Sequence, residues 1–101
     1  MKLKDEHFNI LRKISKNPNL SQREIADKLG LSLGKVNYCL LALKKKGLLK
    51  IENFKKSENK IKYLYVLTPK GISEKTKLTL RFMKTKMIEY DELKKEISEE
   101  K

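Results

Sequence analysis

Ser21-Gln22-Arg23-Glu24-Ile25-Ala26-Asp27-Lys28-Leu29-Gly30-Leu31-Ser32 is the stretch that decides the fold. Its first four residues form an S-x-x-E capping box. The Ser21 hydroxyl can accept the Glu24 amide while the Glu24 carboxylate reaches back to the Ser21 amide. Ile25, Ala26 and Leu29 follow as the apolar stripe of a short helix. Gly30 ends that helix, where a residue with positive φ is wanted. Two residues later Ser32 can cap a second helix, in which Val36, Cys39, Leu40 and Leu43 recur at i, i+3, i+4 and i+7. Ala26 is small enough to let this second helix cross closely, and Leu31 plugs the space between the two. The spacing predicts a helix-turn-helix.

If Val36, Leu40 and Leu43 face a core, the opposite face of the second helix carries Leu33, Gly34, Lys35, Asn37, Tyr38 and Leu41. Lys35, Asn37 and Tyr38 are donors able to reach bases or phosphates. Gly34, near the helix start, allows close approach to the backbone. This is the expected recognition helix, residues 32–46. The first helix of the pair contributes Ser21, Gln22 and Arg23 near its amino end. Lys44-Lys45-Lys46 falls in the last turn of the recognition helix, where positive charge suits the helix dipole.

Working outward, Phe8, Leu11 and Ile14, with Ile10 beside them, predict an amphipathic helix over Asp5–Lys16, stopped before Pro18. After Gly47 the period changes. Leu49, Ile51 and Asn53 alternate with Lys50, Glu52 and Phe54, and Ile61–Leu67 is rich in β-branched and aromatic residues. With the polar Lys55–Lys60 between them, these read as a hairpin with a long basic tip. Lys55, Lys56 and Lys60 would form a wing, spanning residues 54–60, that meets a flanking phosphate backbone or minor groove. Thr68-Pro69 starts a last helix, with Thr at the N-cap and Pro at N1. That helix runs to Ile97, about 40 Å at 1.5 Å per residue. Ile72, Leu80, Met83, Met87, Tyr90, Leu93 and Ile97 lie near one of its faces. This stripe is too long for the preceding domain to cover, so it predicts a homodimer through the last helix.

Composition narrows the function. The 101 residues carry 25 Lys+Arg against 13 Asp+Glu, a net charge of +12, and are 38% charged. No apolar run approaches the ~20 residues of a membrane span, and Met1–Glu6 lacks the apolar run of a secretory signal. One cysteine, Cys39, points to a reducing compartment. One histidine, His7, leaves nothing to build a His/Cys metal site or a His-based triad. Four glycines supply no Gly-rich phosphate loop. Neither a cofactor nor an enzyme activity is expected, whereas a polyanionic partner is. The charge is uneven: residues 1–87 contribute +15 and residues 88–101 contribute −3. The acidic end should therefore point away from a polyanion. Cys39 reads as a buried inert thiol and His7 as a structural residue.

At this point the sequence resembles a family. Gly30-Leu31-Ser32-Leu33-Gly34-Lys35-Val36-Asn37-Tyr38-Cys39-Leu40, Lys46-Gly47-Leu48, Glu52-Asn53-Phe54-Lys55 and Leu67-Thr68-Pro69-Lys70-Gly71-Ile72 resemble MarR-type winged-helix transcriptional regulators, in particular the EPS-associated (exopolysaccharide-associated) subgroup. The resemblance runs over residues 5–97. It implies a cytoplasmic, homodimeric regulator that binds specific double-stranded DNA. It carries the recognition role onto Ser32, Lys35, Asn37 and Tyr38, and the wing role onto Lys55, Lys56 and Lys60. It leaves any small-molecule effector unassigned.

The expected fold is thus mostly α with a small β-hairpin (α+β). It comprises a winged helix-turn-helix over residues 5–68, a dimerisation helix over 69–97 and an acidic tail over 98–101. The expected function is a DNA-binding repressor that occludes a pseudo-palindromic operator, with half-sites about 34 Å apart. Two other readings compete. A winged-helix protein-interaction adaptor need not concentrate lysines on the recognition helix and wing. A non-specific nucleic-acid-binding protein would bind unrelated sequences with similar affinity.

Overall fold

The computed structural model describes residues 3–57 and 60–100, with side chains described outside 53–62. Helices α1 (Asp5–Lys16), α2 (Gln22–Leu29) and α3 (Leu33–Lys45) are followed by strands β1 (Leu49–Ser57) and β2 (Lys60–Leu67), then by helix α4 (Pro69–Glu99). The two strands form an antiparallel ribbon.

The local signals act as their chemistry requires. Ser21 Oγ accepts from the Glu24 amide at 3.1 Å, and Glu24 Oε1 accepts from the Ser21 amide at 3.1 Å. Gly30 ends α2 at φ 65°, a left-handed conformation that costs any residue with a Cβ about 1–2 kcal/mol. Ser32 Oγ then accepts from the Lys35 amide at 3.1 Å and opens α3. Thr68 Oγ1 accepts from the Gly71 amide at 3.0 Å and opens α4 behind Pro69.

One core joins these pieces. Phe8, Ile10, Leu11 and Ile14 of α1, Ile25 and Ala26 of α2, and Val36, Cys39, Leu40 and Leu43 of α3 are buried together with Leu48, Leu49, Tyr65 and Leu78. The hairpin contributes one face. Leu49 pairs with Leu67 and Ile51 with Tyr65, so all four point to the helices while Lys50 and Glu52 point away. The Tyr65 amide also donates to the Pro18 carbonyl at 3.3 Å, fastening β2 to the α1–α2 connection.

Two expectations need correction. The polar stretch Lys55–Lys60 is not a long loop: β1 runs to Ser57 and β2 starts at Lys60, with a register shift between Lys55 and Ser57. A two-stranded ribbon can keep its ladder beyond the core because backbone pairing does not depend on apolar side chains. The second correction concerns α4. The stripe expected to outrun the domain's cover is already exposed from Ile72 onward, and the core-facing side is instead Gly71 and Leu78, with Phe82 packed against the core. That stripe lies roughly 100° further round at 3.6 residues per turn. Phe82 stacks on Phe8 with ring centroids 4.6 Å apart and an interplanar angle of 16°.

The start of α4 is bound tightly to the end of α3. The Thr68 amide donates to the Leu48 carbonyl at 3.1 Å, and Thr68 Oγ1 donates to the Gly47 carbonyl at 2.6 Å. Lys70 Nζ donates to the Lys46 carbonyl at 3.2 Å. Gly71 passes so close to Leu48 that a Cβ would fall onto its carbonyl oxygen. α4 therefore leaves the domain in a fixed direction, two residues longer than expected, and gives the chain a 67 × 26 × 22 Å shape. Among the described residues no helix is long and apolar enough to cross a membrane.

Candidate nucleic-acid interface

α3 turns Val36, Cys39, Leu40 and Leu43 inward and leaves Leu33, Gly34, Asn37, Tyr38 and Leu41 exposed. The Ser32 and Ser21 hydroxyl oxygens are both engaged as helix caps. A capping oxygen accepts the helix amide and keeps its own O–H free to donate outward, as to a phosphate. Gln22 and exposed Arg23 stand in the first turn of α2, and Gln22, Arg23, Ser21 and Leu33 line one open groove of about 440 Å³. The amino ends of α2 and α3 are thus brought to one surface, as direct readout by a helix-turn-helix requires. A Cβ at Gly34 would meet nothing within 4 Å, so the outer surface of α3 is open there.

Lys35 is placed differently from Asn37 and Tyr38. It stands on the flank toward α1, where its Nζ lies 3.4 Å from Glu6 Oε2. The two side chains are 40% and 34% exposed, so water screens the pair and it contributes less than about 1 kcal/mol. The contact is too weak to lock Lys35, which a phosphate could draw away. Lys44 and Lys45 are exposed in the last turn of α3. Lys55 and Lys56 lie in β1 and Lys60 in β2, and their side chains lie outside the described ones.

Tyr63 is a residue that sequence reasoning missed. It lies two residues before buried Tyr65 on β2, hence on the same face of the ribbon, but beyond the end of the core. It is exposed and lines the same groove as Gln22, Arg23 and Leu33. The period of two along a strand could have found it, counting back from Tyr65.

Behind this surface lie the two titratable groups whose behaviour is altered among the described residues. His7 is buried and its Nδ1 accepts from the Lys4 amide at 3.1 Å, so the proton is assigned to Nε2. Nε2 has no hydrogen-bond partner among the described residues. Burial lowers the His7 pKa below its usual value. The Glu6 charge opposes that shift, and Lys35, Lys4 and Lys46 reinforce it. Burial, with Glu6 adding to it, pushes the Cys39 thiol up, against the weaker pull of Lys35 and Lys4. Cys39 is free, buried and protonated, which makes it a poor nucleophile.

Residues 5–50 match the family model described as winged helix-turn-helix DNA-binding. No curated relative matches the sequence. Among solved structures, the PcaV transcriptional regulator from Streptomyces coelicolor, in complex with its natural ligand, superposes with a TM-score of 0.75 at 20% identity. That match covers 85% of this chain and 60% of that one. A MarR protein from Peptoclostridium difficile gives 0.74 at 19% identity, covering 88% and 57% of the two chains. Bordetella bronchiseptica BpsR, whose DNA binding is regulated by 6-hydroxynicotinic acid, gives 0.73 at 19% identity, covering 85% and 60%.

The fold is therefore a winged helix-turn-helix. More narrowly, its arrangement is similar to that of the solved MarR protein. The chain spans about 60% of the length of these solved relatives.

Proposed function

We propose that this chain is a sequence-specific DNA-binding transcriptional regulator, not an enzyme, and that it acts as a homodimer. α3 enters the major groove and presents Ser32, Leu33, Gly34, Asn37 and Tyr38 to base edges or phosphates. Ser21, Gln22 and Arg23 meet the adjacent backbone, joined by Lys35 once it leaves Glu6. The β1–β2 wing, with Lys55, Lys56 and Lys60, follows the flanking backbone or minor groove. Binding represses by excluding polymerase from the promoter. The subgroup reading, EPS-associated, rests on the sequence motifs quoted above.

The observation that carries this reading is the joint exposure of the amino ends of α2 and α3 on one surface of a strongly basic domain. Two of the similar solved proteins, a transcriptional regulator and a protein whose DNA binding is regulated, point the same way. The dimer is supported by α4, where Ile72, Leu80, Met83, Met87, Ile88, Tyr90, Leu93 and Ile97 are 52–65% exposed along one helix. An apolar run of that extent is uncommon on a monomer's surface and marks an interface. It continues past the last residue that α4 packs on the core. The −3 charge of residues 88–101 keeps the far end of α4 away from a polyanion. A cytoplasmic location follows from this function.

The test is a titration of the full chain against duplexes from its own promoter region at several salt concentrations. The logarithm of the affinity should fall linearly with the logarithm of salt, because phosphate contacts release counterions. Absent or salt-independent binding overturns the reading.

A further inference from the structure

The outer face of α3 has an unusual chemical inventory, and it bears on which base pairs the helix can read. Leu33, Tyr38 and Leu41 are 46%, 59% and 53% exposed. None of them completes the core, which α3 supplies with Val36, Cys39, Leu40 and Leu43. A single exposed leucine needs no explanation. Three exposed large apolar side chains along one helix call for a partner: Leu33 lines the groove with Gln22 and Arg23, and Tyr38 and Leu41 line a second groove further along α3.

The polar groups beside that patch are equally selective. No Asp or Glu occurs between Asp27 and Glu52, so α3 offers no carboxylate to accept from cytosine N4. α3 contains no arginine, the commonest bidentate partner of guanine. Its one first-turn cation, Lys35, stands on the flank toward α1, two residues and about 200° round the helix from Leu33, and Lys44 and Lys45 are in the last turn. What the front of the helix keeps is Leu33 at its first position and Asn37 one turn later on the same side. The Asn amide matches the N6 donor and N7 acceptor of adenine, and the only hydrocarbon exposed in the major groove is the thymine 5-methyl group. Residues one turn apart stand about 6 Å from each other, the reach of neighbouring base steps.

Building on the DNA-binding reading above, we propose that α3 is directed to A·T pairs: Leu33 packs on a thymine 5-methyl group beside an adenine held by Asn37. The occupant of the apolar face is thus duplex DNA of a particular composition. The absence of any carboxylate from α3 itself and the net charge of +12 favour it over a protein partner. Removing one methyl from such a contact should weaken binding about fourfold, equivalent to the ~0.8 kcal/mol of one buried CH₂.

The experiment uses the full chain and a duplex enriched by it from a random-sequence library. Each thymine is replaced in turn by deoxyuridine, which lacks only the methyl. At one thymine in each half-site the substitution should weaken binding about fourfold. Leu33→Ala should bind the thymine duplex more weakly by a similar factor and no longer distinguish thymine from deoxyuridine there. Its thermal melting should match the unsubstituted protein, because the side chain lies outside the core. The inference is overturned, with DNA binding intact, if no deoxyuridine position matters while binding stays tight and salt-dependent. It is equally overturned if Leu33→Ala binds both duplexes as the unsubstituted chain does. Failure to enrich any duplex would overturn the DNA-binding reading itself, and this inference with it.

Discussion

At Gly34 the requirements of the fold and of the proposed function separate. A Cβ there would meet nothing within 4 Å in the free protein, and alanine is a better helix former than glycine by about 1 kcal/mol. Gly34→Ala should therefore raise the unfolding free energy by up to about that amount, read by urea denaturation. It should weaken DNA binding in the same preparation if DNA approaches the backbone of α3 closely. A variant that gained stability and kept its affinity would place DNA elsewhere. His7 offers a second test. Its folded pKa is lowered, chiefly by burial. The unfolded chain thus takes up a proton near pH 6.5 that the folded chain resists. The stability His7 confers is fully present above about pH 6.5 and is lost as pH falls through the lower folded value. Protonation would also place a hydrogen on Nδ1, which now accepts from the Lys4 amide. Thermal melting should fall between about pH 7.5 and 5.5, and His7→Gln should flatten that part of the profile. An unchanged slope would assign the pH dependence to other groups.

The junction between α3 and α4 controls where the long helix points. Gly71 allows α4 to start against the Leu48 carbonyl, and Thr68 bonds to both Gly47 and Leu48. Gly71→Ala places its Cβ on backbone rather than on a side chain that could turn aside. The expected loss is about 1–3 kcal/mol, the usual cost of overpacking, measured by chemical denaturation. Wild-type stability would show that the junction relaxes freely.

At this scale the sequence is legible where the signal is local. The capping box at Ser21, the Ser32 cap, Gly30 and the Thr68-Pro69 start each act within four residues, so the residues themselves mark where α2, α3 and α4 begin. The misses are tertiary. The stripe from Ile72 to Ile97 is the stronger periodic signal in α4, yet the core takes Leu78 and Phe82 from the neighbouring face because Gly71 sets the helix rotation. Lys35 reads as an outward donor because its partner, Glu6, lies on α1, far away in sequence. The ribbon outruns the core because backbone pairing does not require burial. Tyr63 escapes notice because its exposure depends on where the core ends, not on its own neighbours.

For the whole molecule, shape and charge point the same way. α4 spans about 46 Å at 1.5 Å per residue and carries its apolar stripe beyond the domain that anchors it. If that stripe pairs two copies, Leu80→Lys or Met87→Lys should yield a folded monomer in sedimentation experiments. Both positions are exposed in the single chain, so the fold itself should change by less than about 0.5 kcal/mol. DNA affinity should drop by about 10²-fold, because the second half-site loses its effective concentration. A variant still dimeric would move the interface elsewhere. The net charge of +12 also acquires a direction: +15 lies in residues 1–87, which include the α2–α3 surface and the wing, and −3 lies at the far end of α4.

Selection of bound sites from random duplex DNA by the purified full chain tests the central claim most directly, since it reads specificity, spacing and symmetry together. The predicted result is a pseudo-palindrome whose half-sites lie about one helical turn, roughly 34 Å, apart. Enrichment of no sequence over unrelated DNA would contradict it.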